Sequence, residues 1–138
     1  LLERSKTLVE GAGAAPLAAL LFEHFEFAED ETVVPALCGG NIDMNVLTTV
    51  IVRGLIETGR YLRVRTVLAD RPGALQRLVD IVADHAANIH AIEHDRAGGD
   101  IGMSDAEVEL DLETKGHDHV ERLLSALREA GYTVDVLV

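Results

Sequence analysis

Two segments of this chain carry apolar side chains at the same helical spacing: Leu75, Leu78, Val79 and Val82, and then Val120, Leu123, Leu124 and Leu127. Each set follows the i, i+3, i+4, i+7 pattern of a helix that faces a core on one side. Extended runs flank both helices. Leu62, Val64, Thr66 and Leu68 point one way, and Arg63 and Arg65 the other. Residues 88–96 read as a second strand, and 97–100 as a flexible, glycine-bearing connection. From Glu107 to Glu113 the alternation has no fault, with Val108, Leu110 and Leu112 on one face and Glu107, Glu109, Asp111 and Glu113 on the other. Gly131 stops the second helix, and 132–138 form a last strand.

The order β-α-β-β-α-β predicts an α+β domain of ferredoxin-like topology over 61–138, both helices covering one face of a four-stranded antiparallel sheet. The first and third strands are neighbours in that topology. Arg63 and Arg65 then face Glu107, Glu109 and Asp111 across the strands, or these charges are simply solvated.

Residues 1–60 differ in kind. Thr7-Leu8-Val9 reads as a short buried strand and Glu10 to Ala14 as a glycine-bearing turn. Residues 15–27 read as an apolar, buried helix with Pro16 in its first turn. Residues 32–37 read as an edge or short strand interrupted by Pro35. A loop, Cys38-Gly39-Gly40-Asn41, leads to a helix from about Asp43, capped by Asn41 or Asp43. Gly59 suits the left-handed position that ends it. This α/β fragment holds too few elements to cover both faces of a sheet, so it is expected to lean on another chain segment.

The net charge is −12, from 24 acidic and 12 basic residues. Phosphate binding needs clustered Lys and Arg, so nucleic acid and an anionic membrane surface are excluded as expected partners. Lys6 and Lys115 are the two lysines. An acidic, Lys-poor surface suits a high-salt cytoplasm and equally an ordinary acidic cytosolic protein. Cys38 stands alone, which fits a reducing cytoplasm. The apolar run from Ala12 to Phe22 contains Pro16 and is too short to span a bilayer.

The turn Asp70-Arg71-Pro72-Gly73 lies between a strand end and a helix start. Backbone N–H groups at a helix N-terminus receive carboxylates. Gly73 permits close approach, Pro72 presets a first helical φ angle, and Asp70 either caps the helix or meets an ammonium group. An anion socket beside a carboxylate suits a zwitterionic amino acid; an ordinary capped helix start has the same sequence.

Gly59-Arg60-Tyr61 before the first strand, Asp-Arg-Pro-Gly-Ala-Leu at 70–75, and Asn88-Ile89 at the second strand together resemble an ACT domain, over essentially all of 61–138. The resemblance implies an amino-acid-sensing module that pairs, with ligand contacts from Asp70, Arg71, Pro72, Gly73, Ala74, Leu75, Asn88 and Ile89. Residues 4–14 and Cys38-Gly-Gly-Asn-Ile-Asp resemble the end of the catalytic domain of threonine dehydratases (threonine ammonia-lyases), enzymes of pyridoxal-phosphate fold type II. In that family the Cys38 position lies by the cofactor's pyridine nitrogen, Gly39, Gly40 and Asn41 continue the loop, and Glu10 lies close by.

The resemblance thus implies residues 1–60 as the end of a catalytic domain and 61–138 as its regulatory module, together the later part of a longer polypeptide. The family's Schiff-base lysine and phosphate loop belong to an earlier region, and Lys6 falls outside it. No catalytic residue and no bound cofactor are therefore expected of this chain by itself. The expected ligand is isoleucine or valine. A ligand-free dimerisation module, or part of an active lyase once joined to a catalytic domain, are the other readings. His90 and His94, four apart on one strand, are expected to share a face at a distance, and His117 and His119 to be exposed at a helix start. No metal site is expected from them.

Overall fold

The computed structural model describes residues 1–96 and 101–138, so the connection 97–100 lies outside the described residues. Two compact units emerge, Leu1–Thr49 and Val50–Val138. The division falls inside one helix, eleven residues before the expected 60/61 boundary.

The first unit holds α1 (Leu2–Ser5), α2 (Gly11–Leu21) and the start of α3 (Met44–Glu57). Neither Thr7-Leu8-Val9 nor 32–37 becomes a strand. A lone extended segment has no ladder to satisfy its backbone groups, and Pro35 lacks a donor besides. The helix expected over 15–27 is shifted: it begins at Gly11 and ends at Leu21, which puts Pro16 inside it rather than in its first turn. Nor is it buried. Gly13 is its one buried residue, while Leu21, Phe22, Phe25 and Phe27 are exposed. Asp43, not Asn41, caps α3: its Oδ1 accepts the Asn45 N–H at 2.8 Å.

The second unit has the expected element order. After the end of α3 come β1 (Tyr61–Ala69), α4 (Ala74–Asp84), β2 (Asn88–Asp95), β3 (Asp105–Glu113), α5 (His117–Glu129) and β4 (Val134–Val136). The antiparallel sheet runs β2-β3-β1-β4. Leu62, Val64, Thr66 and Leu68 are buried against the helices, as the alternation requires. From β3, Val108, Leu110 and Leu112 join them, and from the helices Leu78, Val82, Leu123 and Leu127. Each such side chain contributes about 1.5–3 kcal/mol through apolar burial. The last strand is shorter than expected. Arg63 nevertheless accepts from Leu137 N–H at 2.9 Å and donates to Val138 O at 3.0 Å, so the chain end follows β1.

Three helices of this unit end in one motif. After α3, Gly59 N–H donates to Ile56 O at 2.9 Å and Arg60 N–H to Leu55 O at 2.7 Å. After α4, Ala86 and Ala87 repeat the pair of bonds to Ala83 and Val82; after α5, Gly131 and Tyr132 repeat it to Arg128 and Leu127. This is the Schellman closure, which needs a left-handed residue at its corner. Gly59, Ala86 and Gly131 have φ of 63°, 55° and 91°. Gly59 is needed twice over, because a Cβ there would lie 2.6 Å from His117 N. Among the described residues no helix is long and apolar enough to cross a membrane.

Candidate functional site

The turn after β1 borders an open cleft of about 490 Å³, lined by Leu68, Asp70, Arg71, Pro72, Gly73, Leu75, His94 and Arg96. Five of the eight residues expected to contact a ligand are therefore at one place. Ala74 lies beneath them, buried in the core.

Local roles at the turn differ from expectation in two ways. The helix starts two residues later than the Pro72 reading needs: Ala74 is its first residue and Gly73, at φ 82°, the N-cap, so Pro72 stands outside the first helical turn. And Asp70 does not cap. Its Oδ2 pairs with Arg96 Nε at 3.1 Å, while its N–H donates to Ser104 O at 2.8 Å. No side chain caps α4, which leaves the helix start to the backbone. Arg96 and His94 were not anticipated at this site. The signal that places them is long-range, since it is the β2–β3 register that carries the end of β2 beside the turn.

Asn88 and Ile89 lie at the opposite end of β2. Asn88 pairs with Glu113 in register and donates its Nδ2–H to Glu113 Oε2 at 3.1 Å; Ile89 packs on the core. Within one chain they do not meet the turn. A bulge between Ile89 and Ala91 shifts the register there. It also overturns the expected shared face of His90 and His94. His94 pairs with Val108, a core-side residue, whereas His90 is the extra residue of the bulge and acts on Asp111 of the outer face. His119 is likewise not exposed. It is 5% exposed, its Nδ1 accepts Lys115 N–H at 3.0 Å and its Nε2–H donates to His85 O at 2.7 Å.

The outer face of the sheet carries the ion pairs that the alternation implies. Arg63 sits opposite Asp111 and Arg65 opposite Glu109. Arg63 engages both oxygens of Asp111 through Nε and Nη2, the latter at 2.6 Å, and Arg65 Nη2 reaches Glu109 Oε1 at 2.6 Å. The Arg63 bonds hold the Asp111 carboxyl below the usual carboxylate range, against the opposing effect of burial.

In the first unit, Glu10 and the 38–41 loop do come together. Glu10 N–H donates to Gly39 O at 3.0 Å, and a Cβ on Gly39 would lie 2.4 Å from Glu10 Oε1. Gly13 must be glycine for the same close packing, since its Cβ would strike Cys38 O. The Cys38 thiol is exposed. Glu10 and the 38–41 loop include no amine for an aldehyde, so by themselves they do not fit pyridoxal phosphate. Among the described residues, no three His, Cys, Asp or Glu side chains are grouped to hold a metal ion.

Comparison with known proteins agrees with this topology. The ACT domain model matches residues 62–132. Over 99% of its length the chain is 47% identical to an L-threonine ammonia-lyase of Geobacter sulfurreducens and 38% identical to one of Thermotoga maritima. It spans about a third (34%) of the length of each of these relatives. Among solved structures, the ACT domain from the GTP pyrophosphokinase of Chlorobium tepidum aligns with 56% of this chain and 96% of its own, at 22% identity and a TM-score of 0.45. With the βαββαβ order, the sheet order and the family match in agreement, the chain belongs to the ACT domain family.

Proposed function

We propose that this chain is the amino-acid-binding regulatory portion of a threonine ammonia-lyase, an enzyme converting threonine to 2-oxobutanoate and ammonia. The observation that carries the reading is the cleft at the β1–α4 turn. There an acid, Asp70, and the bases Arg71 and Arg96 border an uncapped helix start, between the apolar walls Leu68 and Leu75. A carboxylate suits the helix start and the guanidinium groups, an ammonium suits Asp70, and a branched apolar side chain suits the two leucines. The ligand is isoleucine or valine.

The site is completed by a second copy. β2 is an edge strand of eight residues whose one strand neighbour among the described residues is β3. Suppose two β2 strands pair antiparallel about a point between Ala91 and Ile92. Asn88 of one copy then falls opposite Asp95 of the other, next to Arg96 and the cleft. Pairing of this kind reunites the two groups of residues that a single chain keeps apart. Ligand bound there would favour one pairing geometry, and a coupling of about 1–3 kcal/mol suffices for control.

Residues 1–60 are, on this reading, the end of the pyridoxal-phosphate catalytic domain. The exposed Leu21, Phe22, Phe25 and Phe27 support it, because such an apolar surface is the kind that packs against further protein. The 138 residues alone deaminate nothing on this reading, because the family's Schiff-base lysine belongs to an earlier region that Lys6 does not match.

Calorimetry of the chain with L-isoleucine and L-valine tests the proposal. Saturable heat is expected with one of them, weakened by Asp70→Asn and by Asn88→Ala. The Asp70–Arg96 pair, which satisfies both charges without a ligand, favours the competing reading of a ligand-free dimerisation module. Self-association with no heat from either amino acid would establish that reading instead.

A further inference from the structure

We infer that a second small-zwitterion site lies beneath the last turns of α3, at the end of the sheet opposite the turn cleft. A pocket of about 380 Å³ opens there, within the size range of small-molecule sites. Val52 and Leu55 of α3 and Tyr61 of β1 form its apolar side; Arg60, His90 and Glu113 form the polar side. Arg60 and Glu113 line the same space, and a cation beside an anion matches the two opposite charges of an α-amino acid.

The polar wall is held in place. Asn88 donates to Glu113 Oε2 at 3.1 Å, which orients Glu113; a carboxylate has about four acceptor sites, so one such bond does not exhaust it for an ammonium. Arg60 follows directly on the Schellman closure of α3, its N–H bonded to Leu55 O and its C=O accepting Thr114 N–H at 3.1 Å. Its guanidinium has five N–H donors and serves more than one acceptor. Tyr61 is fixed by its bond to Asp111 at 2.6 Å. The bulge in β2 turns His90 toward this end of the outer face, where it acts on Asp111. A ligand seated here touches both α3 and the sheet, and so fastens the last turns of α3. Within one chain the site lies at the other end of β2 from the turn cleft, and its lining residues all come from a single copy.

Two-dimensional amide NMR of the 138-residue chain, titrated with L-valine, tests the site. L-valinamide, which lacks the carboxylate, and 3-methyl-2-oxobutanoate, which lacks the ammonium, serve as controls. Saturable shifts are expected at Val52, Leu55, Tyr61 and His90, with slowed amide exchange from Val52 to Glu57. Each control should bind at least about tenfold more weakly, the effect of one lost charge-assisted bond. Glu113→Gln keeps an acceptor for Asn88 but removes the charge, and should weaken L-valine by a similar factor. Asp70→Asn should leave these shifts intact. No shifts in this set, or shifts that Glu113→Gln does not alter, would overturn the inference. Shifts confined to 68–75 and 94–96 would overturn it while supporting the turn cleft; shifts confined to the α3 pocket would do the reverse.

Discussion

The Tyr61 hydroxyl donates to Asp111 Oδ2 at 2.6 Å, across two strands whose residues lie 50 positions apart in sequence. Arg63 holds the same carboxylate from the side, so one acid accepts from a phenol and a guanidinium. The Asp111 side chain is 12% exposed and that of Arg63 44%, so solvent screens the pair only from one side. Asp111→Asn should cost about 1–2 kcal/mol, measured by denaturant unfolding at neutral pH. The pH dependence has two limbs. Arg63 lowers the Asp111 pKa, so its stabilisation is complete above the unfolded value of about 4 and is lost as pH falls through the folded value. Burial and Asp111 raise the Tyr61 pKa, so its share is present below about pH 10 and is lost as pH rises through the folded value. In Asp111→Asn the acid limb should flatten. An unchanged acid limb would remove Asp111 from the account.

The three Schellman corners make a graded set. Ala86 adopts φ 55° with a side chain that disfavours it. Ala86→Gly should stabilise the unit by roughly 0.5–1 kcal/mol, the relieved strain less the added freedom of the unfolded chain. Gly131→Ala should cost about 1 kcal/mol, because no atom crowds its Cβ position. Gly59→Ala should cost clearly more, about 2–4 kcal/mol, since the new Cβ meets the backbone of His117 as well. Thermal unfolding of the three variants orders them; equal effects at 59 and 131 would contradict the close approach.

His119 joins the start of α5 to the end of α4. A backbone N–H can only donate and a carbonyl only accept, so Nδ1 is the acceptor and Nε2 carries the proton. His119→Ala strands both groups in a buried place and should cost about 2–4 kcal/mol. His119→Asn, which keeps a donor and an acceptor, should recover part of that. Hydrogen exchange at Lys115 provides a local check, its amide being protected in the parent and exposed in the alanine variant.

Ile92 sits near the middle of the β2 edge, facing the same side as Leu110, and is 41% exposed. Ile92→Lys places like charges across the axis of the proposed strand pairing. Self-association, followed by analytical ultracentrifugation, should weaken at least roughly tenfold with the monomer still folded. Amino-acid affinity at the turn should fall with it, because Asn88 of the second copy is withdrawn. A dimer as tight as the parent's would place the interface elsewhere.

Alternation and helical stripes were enough to give the second unit. Leu62 to Leu68, Val108 to Leu112 and the two helix stripes each bury the face that their spacing dictates, because a period of 2 or 3.6 commits a segment to one core-facing side whatever its neighbours. The same local chemistry marks the turn at Asp70 and the corner at Gly59. What local pattern did not carry is everything set by a partner strand or a packed neighbour. Thr7-Leu8-Val9 and 32–37 are apolar enough for strands but find no ladder. The β2 bulge separates His90 from His94, the α4 terminus buries His119, and the β2–β3 register brings Arg96 to Asp70 while holding Asn88 at the far end. Spacing along the chain fixes which side a residue faces; which residue it meets depends on strand register, and a one-residue shift, as at this bulge, changes both.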